Sequence, residues 1–124
     1  MLNIFPKHRN AIEIFEYNFR NVKNFGDITK IKENELPDFD LFTGGFPCQP
    51  FSTVGKRLGE MDIRGTLFED IIRICDVKKP KYVLLENVDR ILKSPTAQRG
   101  RDFAVILKSL EELGYAVEWR VINA

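Results

Sequence analysis

The run Lys81-Tyr82-Val83-Leu84-Leu85 limits the possible folds more than any other stretch of this chain. It is almost continuously apolar, starts just after Pro80 and ends at Glu86-Asn87-Val88. A strand with one face in water would alternate; an unbroken run predicts a strand buried on both faces, as in parallel sheets. The flanking pattern agrees. Thr66-Leu67-Phe68-Glu69 has the form of a capping box and opens a helix to about Lys78, with Leu67, Phe68, Ile71, Ile72 and Cys75 on its buried face. Lys78 and Lys79 suit its C-terminus, and Pro80 stops it. Phe103, Ile106, Leu107, Leu110 and Leu113 mark a further helix, closed by Gly114.

Upstream, Phe39–Phe42 predicts a short strand that Gly44-Gly45 ends, and Tyr115–Ile122 predicts a final one. A first amphipathic helix is expected from about Lys7 to Phe19, on Ala11, Ile12, Phe15 and Phe19. A short strand around Val22, a polar connector to Pro37 and an exposed loop from Asp89 to Arg101 complete the reading. Strand, helix, strand, helix, strand is the order of an open, parallel α/β sheet. Such sheets bind ligands at the carboxyl ends of their strands.

The 124 residues suffice for one domain or less, and 44% hydrophobic content suffices for a core. A net charge of +1 argues against a generally basic nucleic-acid module, so any DNA contact must come from local clusters. Cys48 and Cys75 form no C-x-x-C pair, which fits a reducing, cytoplasmic setting. One histidine and no cysteine cluster argue against a zinc site. No apolar run approaches the roughly 18 residues of a membrane span, so no membrane partner is expected.

Chemistry concentrates in Gly44-Gly45-Phe46-Pro47-Cys48-Gln49-Pro50-Phe51-Ser52. Most free cysteines are small packing groups. Here prolines on either side stiffen the thiol at the end of a strand, where a nucleophile can face a cleft. Cys75, on a helix's apolar face, reads as packing instead. Glu86 also follows a strand end, so the fold brings it and Cys48 towards one crevice; its plainer role is a solvated carboxylate or a cap. Asn87 is placed to orient the loop through backbone hydrogen bonds, and Asp27 reads equally well as a turn residue. Residues from Ser52 to Arg64 are polar and glycine-rich, as in a mobile functional loop.

The nine-residue string resembles the catalytic motif of the DNA cytosine-5 methyltransferases. Glu86-Asn87-Val88 resembles their second catalytic motif, Gly26-Asp27-Ile28 a cofactor-binding segment, and Arg64-Gly65-Thr66-Leu67-Phe68 the motif after the cysteine loop. The similarity continues through Ser94-Pro95 and Gln98–Asp102 and spans essentially the whole chain. The resemblance implies a partial, Rossmann-like, doubly wound sheet and a single partial catalytic domain over residues 1–124. It makes Cys48 the nucleophile and Glu86 the group on the cytosine edge. It places Asp27, Ile28, Pro47 and Leu67 at S-adenosylmethionine, and Gln49, Ser52, Lys56, Arg57 and Asn87 at DNA.

Family members are several times longer. Their Phe-x-Gly-x-Gly cofactor loop, their Gln-x-Arg-x-Arg motif and their DNA-reading region have no counterpart in these residues. The expectation is therefore the middle of a methyltransferase, inactive alone, that joins a complementary subunit or self-associates. A non-catalytic remnant that binds DNA or a partner methyltransferase, and another thiol-dependent transferase acting on pyrimidines, are the competing readings.

Overall fold

A computed structural model describes residues 9–48, 66–94 and 96–123. The chain divides into two compact units, Met1–Pro37 and Asp38–Ala124.

In the first unit, α1 (Arg9–Asn18) forms where the helical spacing places it, and it buries Phe15. Phe19 stacks on Phe15 with ring centroids 4.9 Å apart. No strand forms at Val22: its N–H donates to the Phe19 carbonyl at 3.0 Å and closes a turn. The stretch expected as a polar connector contains two 3-10 turns, Ile28–Lys30 and Glu33–Glu35. Each is followed by a buried apolar residue, Ile31 and Leu36. A single apolar residue after each turn has no periodicity, so the sequence pattern does not reveal either.

The second unit is a β-α-β-α arrangement. β1 (Leu41–Gly45) and β2 (Tyr82–Glu86) pair in parallel, from Leu41 opposite Tyr82 to Gly45 opposite Glu86. β1 therefore runs through both glycines instead of ending at them, because the ladder to β2 supplies the order that glycine lacks on its own. Between the strands, α2 (Leu67–Lys78) returns the chain. Thr66 caps it as the motif predicts, its hydroxyl accepting from the Glu69 N–H at 3.2 Å. Lys79 ends it in the left-handed conformation, φ 47°, with its N–H on the Cys75 carbonyl.

The buried face of α2 is Phe68, Ile71, Ile74 and Cys75. Ile74 joins the expected set, while Leu67 is 38% exposed at the helix start, beyond the reach of the core. α3 (Arg101–Glu112) buries Val105, Ile106 and Leu110. Its end is a Schellman motif: Tyr115 N–H donates to Leu110 and Gly114 N–H to Glu111, with Gly114 at φ 92°.

Phe68, Ile91, Val105, Ile106 and Leu110 form one cluster, with Phe46, Cys48 and Leu85 packed against it. Ile91 belongs to a 3-10 helix, Asp89–Lys93, so the expected exposed loop is partly core. Ser94 and Asp102 tie that segment to α3: the Ser94 hydroxyl donates to Oδ2 of buried Asp102 at 2.5 Å, and the Asp102 N–H donates to the Ser94 carbonyl. Asp102 lies in the first turn of α3, where the helix dipole favours a carboxylate.

Two further expectations fail. β2 is not buried on both faces: Tyr82 is 58% and Leu84 65% exposed. Phe68 of α2 and Val105, Ile106 and Leu110 of α3 join one cluster on the Leu85 side, while Leu41, Tyr82 and Leu84 on the opposite face stay more than half exposed. Residues 115–123 form no strand, because no described segment hydrogen-bonds alongside them. Tyr115 and Val117 pack on the cluster, and Trp119 meets Phe103 edge-on at 5.3 Å. The second unit is a partial Rossmann-like α/β fold with, among the described residues, a two-stranded parallel sheet.

Burial pushes the Cys75 thiol up to about 11, against a lesser opposing pull from Lys79. The folded state thus holds this proton more tightly than the unfolded chain. The resulting stability is complete below about pH 9 and is lost as pH rises through about 11. Tyr115, its hydroxyl donating to the Pro80 carbonyl at 2.7 Å, is raised by burial and by Cys75, with the same sign. Thermal unfolding at either end of that window is expected to show a smaller alkaline loss for Cys75→Ala than for the unsubstituted chain. An equal loss would refute the assignment.

Candidate active site

The carboxyl end of the sheet gathers the reactive residues of the second unit. β1 ends at Gly45, and three residues later comes Cys48, half-buried and free. Opposite Gly45 is Glu86, the last residue of β2. Two contacts fix the turn between Gly45 and the thiol. The Asn87 side-chain amide donates to the Phe46 carbonyl at 2.7 Å, and its oxygen accepts from the Val88 N–H at 2.9 Å. The Phe46 ring packs on Phe68 of α2, centroids 5.2 Å apart. The cysteine loop is thus held from β2 and from α2 at once.

α2 spans about 18 Å at 1.5 Å per residue, and its C-terminus leads through Lys79–Lys81 into the start of β2. Its N-terminus therefore lies at the carboxyl end of the sheet, as the Phe46–Phe68 contact requires. Leu67 is exposed there, as is Pro47 beside the cysteine. Asp27 and Ile28 belong to the first unit. Asp27 caps the turn Ile28–Lys30, its Oδ1 accepting from the Thr29 N–H at 3.1 Å and the Thr29 hydroxyl at 2.8 Å. Gln49, Ser52, Lys56 and Arg57 lie outside the described residues.

The geometry brings Cys48, Glu86 and Asn87 to one end of one sheet. Sequence reasoning missed the Phe46 anchor, although Phe46 in the motif and Phe68 on the helix's apolar face were both legible. It also missed the Ser94–Asp102 tie, for which no local signal exists. Among the described residues, no group of three His, Cys, Asp or Glu side chains gathers to hold a metal, and no helix is long and apolar enough to cross a membrane.

A free thiol and a carboxylate stand at the carboxyl ends of adjacent parallel strands, the end at which α/β proteins bind their ligands. The sequence profile of the C-5 cytosine-specific DNA methylases matches residues 5–124, and the chain belongs to that family. It is 51% identical over 118 residues to the Type II methyltransferase M.NlaIV of Neisseria lactamica, covering 92% of this chain and 28% of that protein. It is 48% identical over 124 residues to M.Sau3AI of Staphylococcus aureus, covering 95% and 30%. For M.HaeII of Haemophilus aegyptius the identity is 49% over 113 residues, covering 91% and 34%. The chain therefore spans about a third or less of the length of these curated relatives.

Proposed function

We propose that the chain is the central catalytic segment of a DNA cytosine-5 methyltransferase, acting through a covalent bond between Cys48 and C6 of the target cytosine. The observation that carries this reading is the register of β1 and β2, which ends with Gly45 opposite Glu86 and with Asn87 bonded to the loop that bears the thiol.

In this reading the Cys48 thiolate adds to C6, and the C5–C6 electron pair moves to C5 and makes that carbon nucleophilic. The Glu86 carboxyl donates a proton or hydrogen bond to N3 as charge develops there. S-adenosylmethionine, when bound, supplies the electrophilic methyl group. Once C5 carries the methyl, loss of its proton to a base returns the electron pair to the ring bond, and the thiolate leaves C6. The target atom is out of reach in a stacked duplex, so the cytosine must be flipped out.

Leu67 and Pro47 offer exposed apolar surface of the kind an adenine-bearing cofactor packs against, and the Asp27 carboxylate is locked by its Thr29 cap. Within the second unit, Pro47 and Leu67 fit S-adenosylmethionine and would hold part of it; Asp27 and Ile28 are assigned to the same cofactor by the family resemblance alone. Gln49, Ser52, Lys56 and Arg57 would meet DNA, and Asn87 would assist by fixing the loop they follow. The uncovered face of the sheet, with Leu41, Tyr82 and Leu84, suits a complementary methyltransferase subunit or a second copy.

The test is methyl transfer from labelled S-adenosylmethionine to DNA. These 124 residues alone are expected to give background, because they span under a third of the M.NlaIV length, and assembly with the remaining segments of such a relative is expected to give incorporation. An assembly that binds DNA but incorporates nothing would overturn the catalytic reading in favour of a non-catalytic remnant.

A further inference from the structure

Glu86 and Gly45 sit opposite each other on the outer face of the sheet, at its carboxyl end. A methyl group placed on Gly45 would lie 3.0 Å from Glu86 Oε2, 3.8 Å from its carbonyl oxygen and 4.0 Å from its Cβ. The three nearest neighbours of that space all belong to Glu86, so the carboxylate lies across the gap that the missing side chain leaves. Gly44 differs. A methyl there would meet the Phe42 ring at 3.2 Å and Leu85 at 4.0 Å, on the packed face.

We propose that Gly45 is a positioning residue for Glu86: its bare Cα makes the room in which the carboxylate is held beside the cysteine loop. Neither backbone strain nor a packed core explains a glycine here. Among the described glycines the positive-φ ones are Gly26, Gly100 and Gly114, so Gly45 is not kept for its φ. Nor does a buried neighbour demand it, since only the far end of a flexible side chain approaches within 3.4 Å. Alanine at this position is therefore tolerated by the fold, because Glu86 can swing away, and it displaces the carboxylate in doing so. In a strand, alanine also loses less backbone entropy on folding than glycine. The catalytic part of this proposal rests on the role given to Glu86 above; the spatial part does not.

The test compares Gly45→Ala and Gly44→Ala in the full chain. Gly45→Ala is expected to move the side-chain carboxyl carbon resonance of Glu86 while leaving the thermal unfolding midpoint unchanged or higher. Gly44→Ala is expected to lower the midpoint and leave that resonance in place. In the assembly with the remaining methyltransferase segments, Gly45→Ala is expected to slow covalent capture of fluorinated DNA by about 100-fold, the order that a misplacement near 1 Å produces. DNA affinity is expected to stay the same. A Glu86 resonance unmoved by Gly45→Ala overturns the proposal whatever the chemistry. A moved resonance with an unchanged capture rate, in an assembly slowed by Glu86→Gln, overturns it equally. If Glu86→Gln itself has no effect, the role assigned to Glu86 fails, and the positioning role in catalysis falls with it.

Discussion

Cys48→Ser is expected to abolish covalent capture of DNA carrying 5-fluorocytosine, while Cys75→Ala retains it. The experiment uses the assembly that supplies the remaining methyltransferase segments. Thiolate addition to C6 can proceed on the fluorinated base, and so can methylation of C5. The final step cannot, because C5 then carries fluorine where a proton would depart, and fluorine does not leave as a cation. The protein stays bonded to the DNA. A serine hydroxyl is far less ionised than a thiol near neutral pH, so it forms no adduct on this timescale.

Cys75 is the internal control. It is fully buried, and with its pKa pushed to about 11 only about one molecule in ten thousand is thiolate at neutral pH. Glu86→Gln keeps the shape of the side chain but removes the carboxyl proton, and capture is expected to slow by about 100-fold or more. Mass spectrometry of the trapped peptide locates the bond. An adduct on Cys75, or one undiminished in Cys48→Ser, would refute the assignment of the nucleophile.

Phe68→Ala is expected to cost about 3–5 kcal/mol, the range for deleting a fully buried ring. Native domains have only about 5–15 kcal/mol in all, so this single change removes a large part of the stability of the second unit. The position is critical for two reasons. Phe68 is wholly buried in the cluster formed with Ile91, Val105, Ile106 and Leu110, and its ring also supports Phe46 at the root of the cysteine loop. Denaturant unfolding monitored by circular dichroism measures the loss. Phe68→Leu refills most of the volume without restoring the ring contact, so it should recover much of the stability. A loss for Phe68→Ala below about 1 kcal/mol, the scale of a surface substitution, would show that the cluster is not the core of this unit.

Much of the site could be read from the chain because its signals are local. Pro47-Cys48 after a strand, Thr66 three residues before Glu69, and Gly114 after a run of spaced leucines each specify chemistry or geometry within a few residues. The structure bears out the last two in detail, with the Thr66 cap and the Schellman turn. Pairing partners and burial by distant segments carry no such signal. The isolated apolar residues Ile31 and Leu36 and the Ile91-Leu92 pair sit in polar stretches, yet Ile31, Leu36 and Ile91 are buried. Conversely, the apolar run of β2 is half exposed, and Tyr115–Ile122 has strand composition but no ladder.

The parallel α/β class, both ends of α2, the C-terminal end of α3 and the family of the cysteine motif were legible in the chain, since caps, breakers and motifs act through neighbours; the start of α3 at Arg101, inside the expected exposed loop, was not. Packing between distant segments sets the rest: β1 continues through Gly44 and Gly45, Glu86 lies over Gly45, and Asn87 reaches back to Phe46 across 41 positions. It also sets the bond from Ser94 to buried Asp102, and it leaves residues 115–123 without a strand partner among the described residues. Each of these depends on a register or a contact between segments far apart in sequence. Composition can make a residue fit for such a contact, but only the packing of the whole unit chooses its partner.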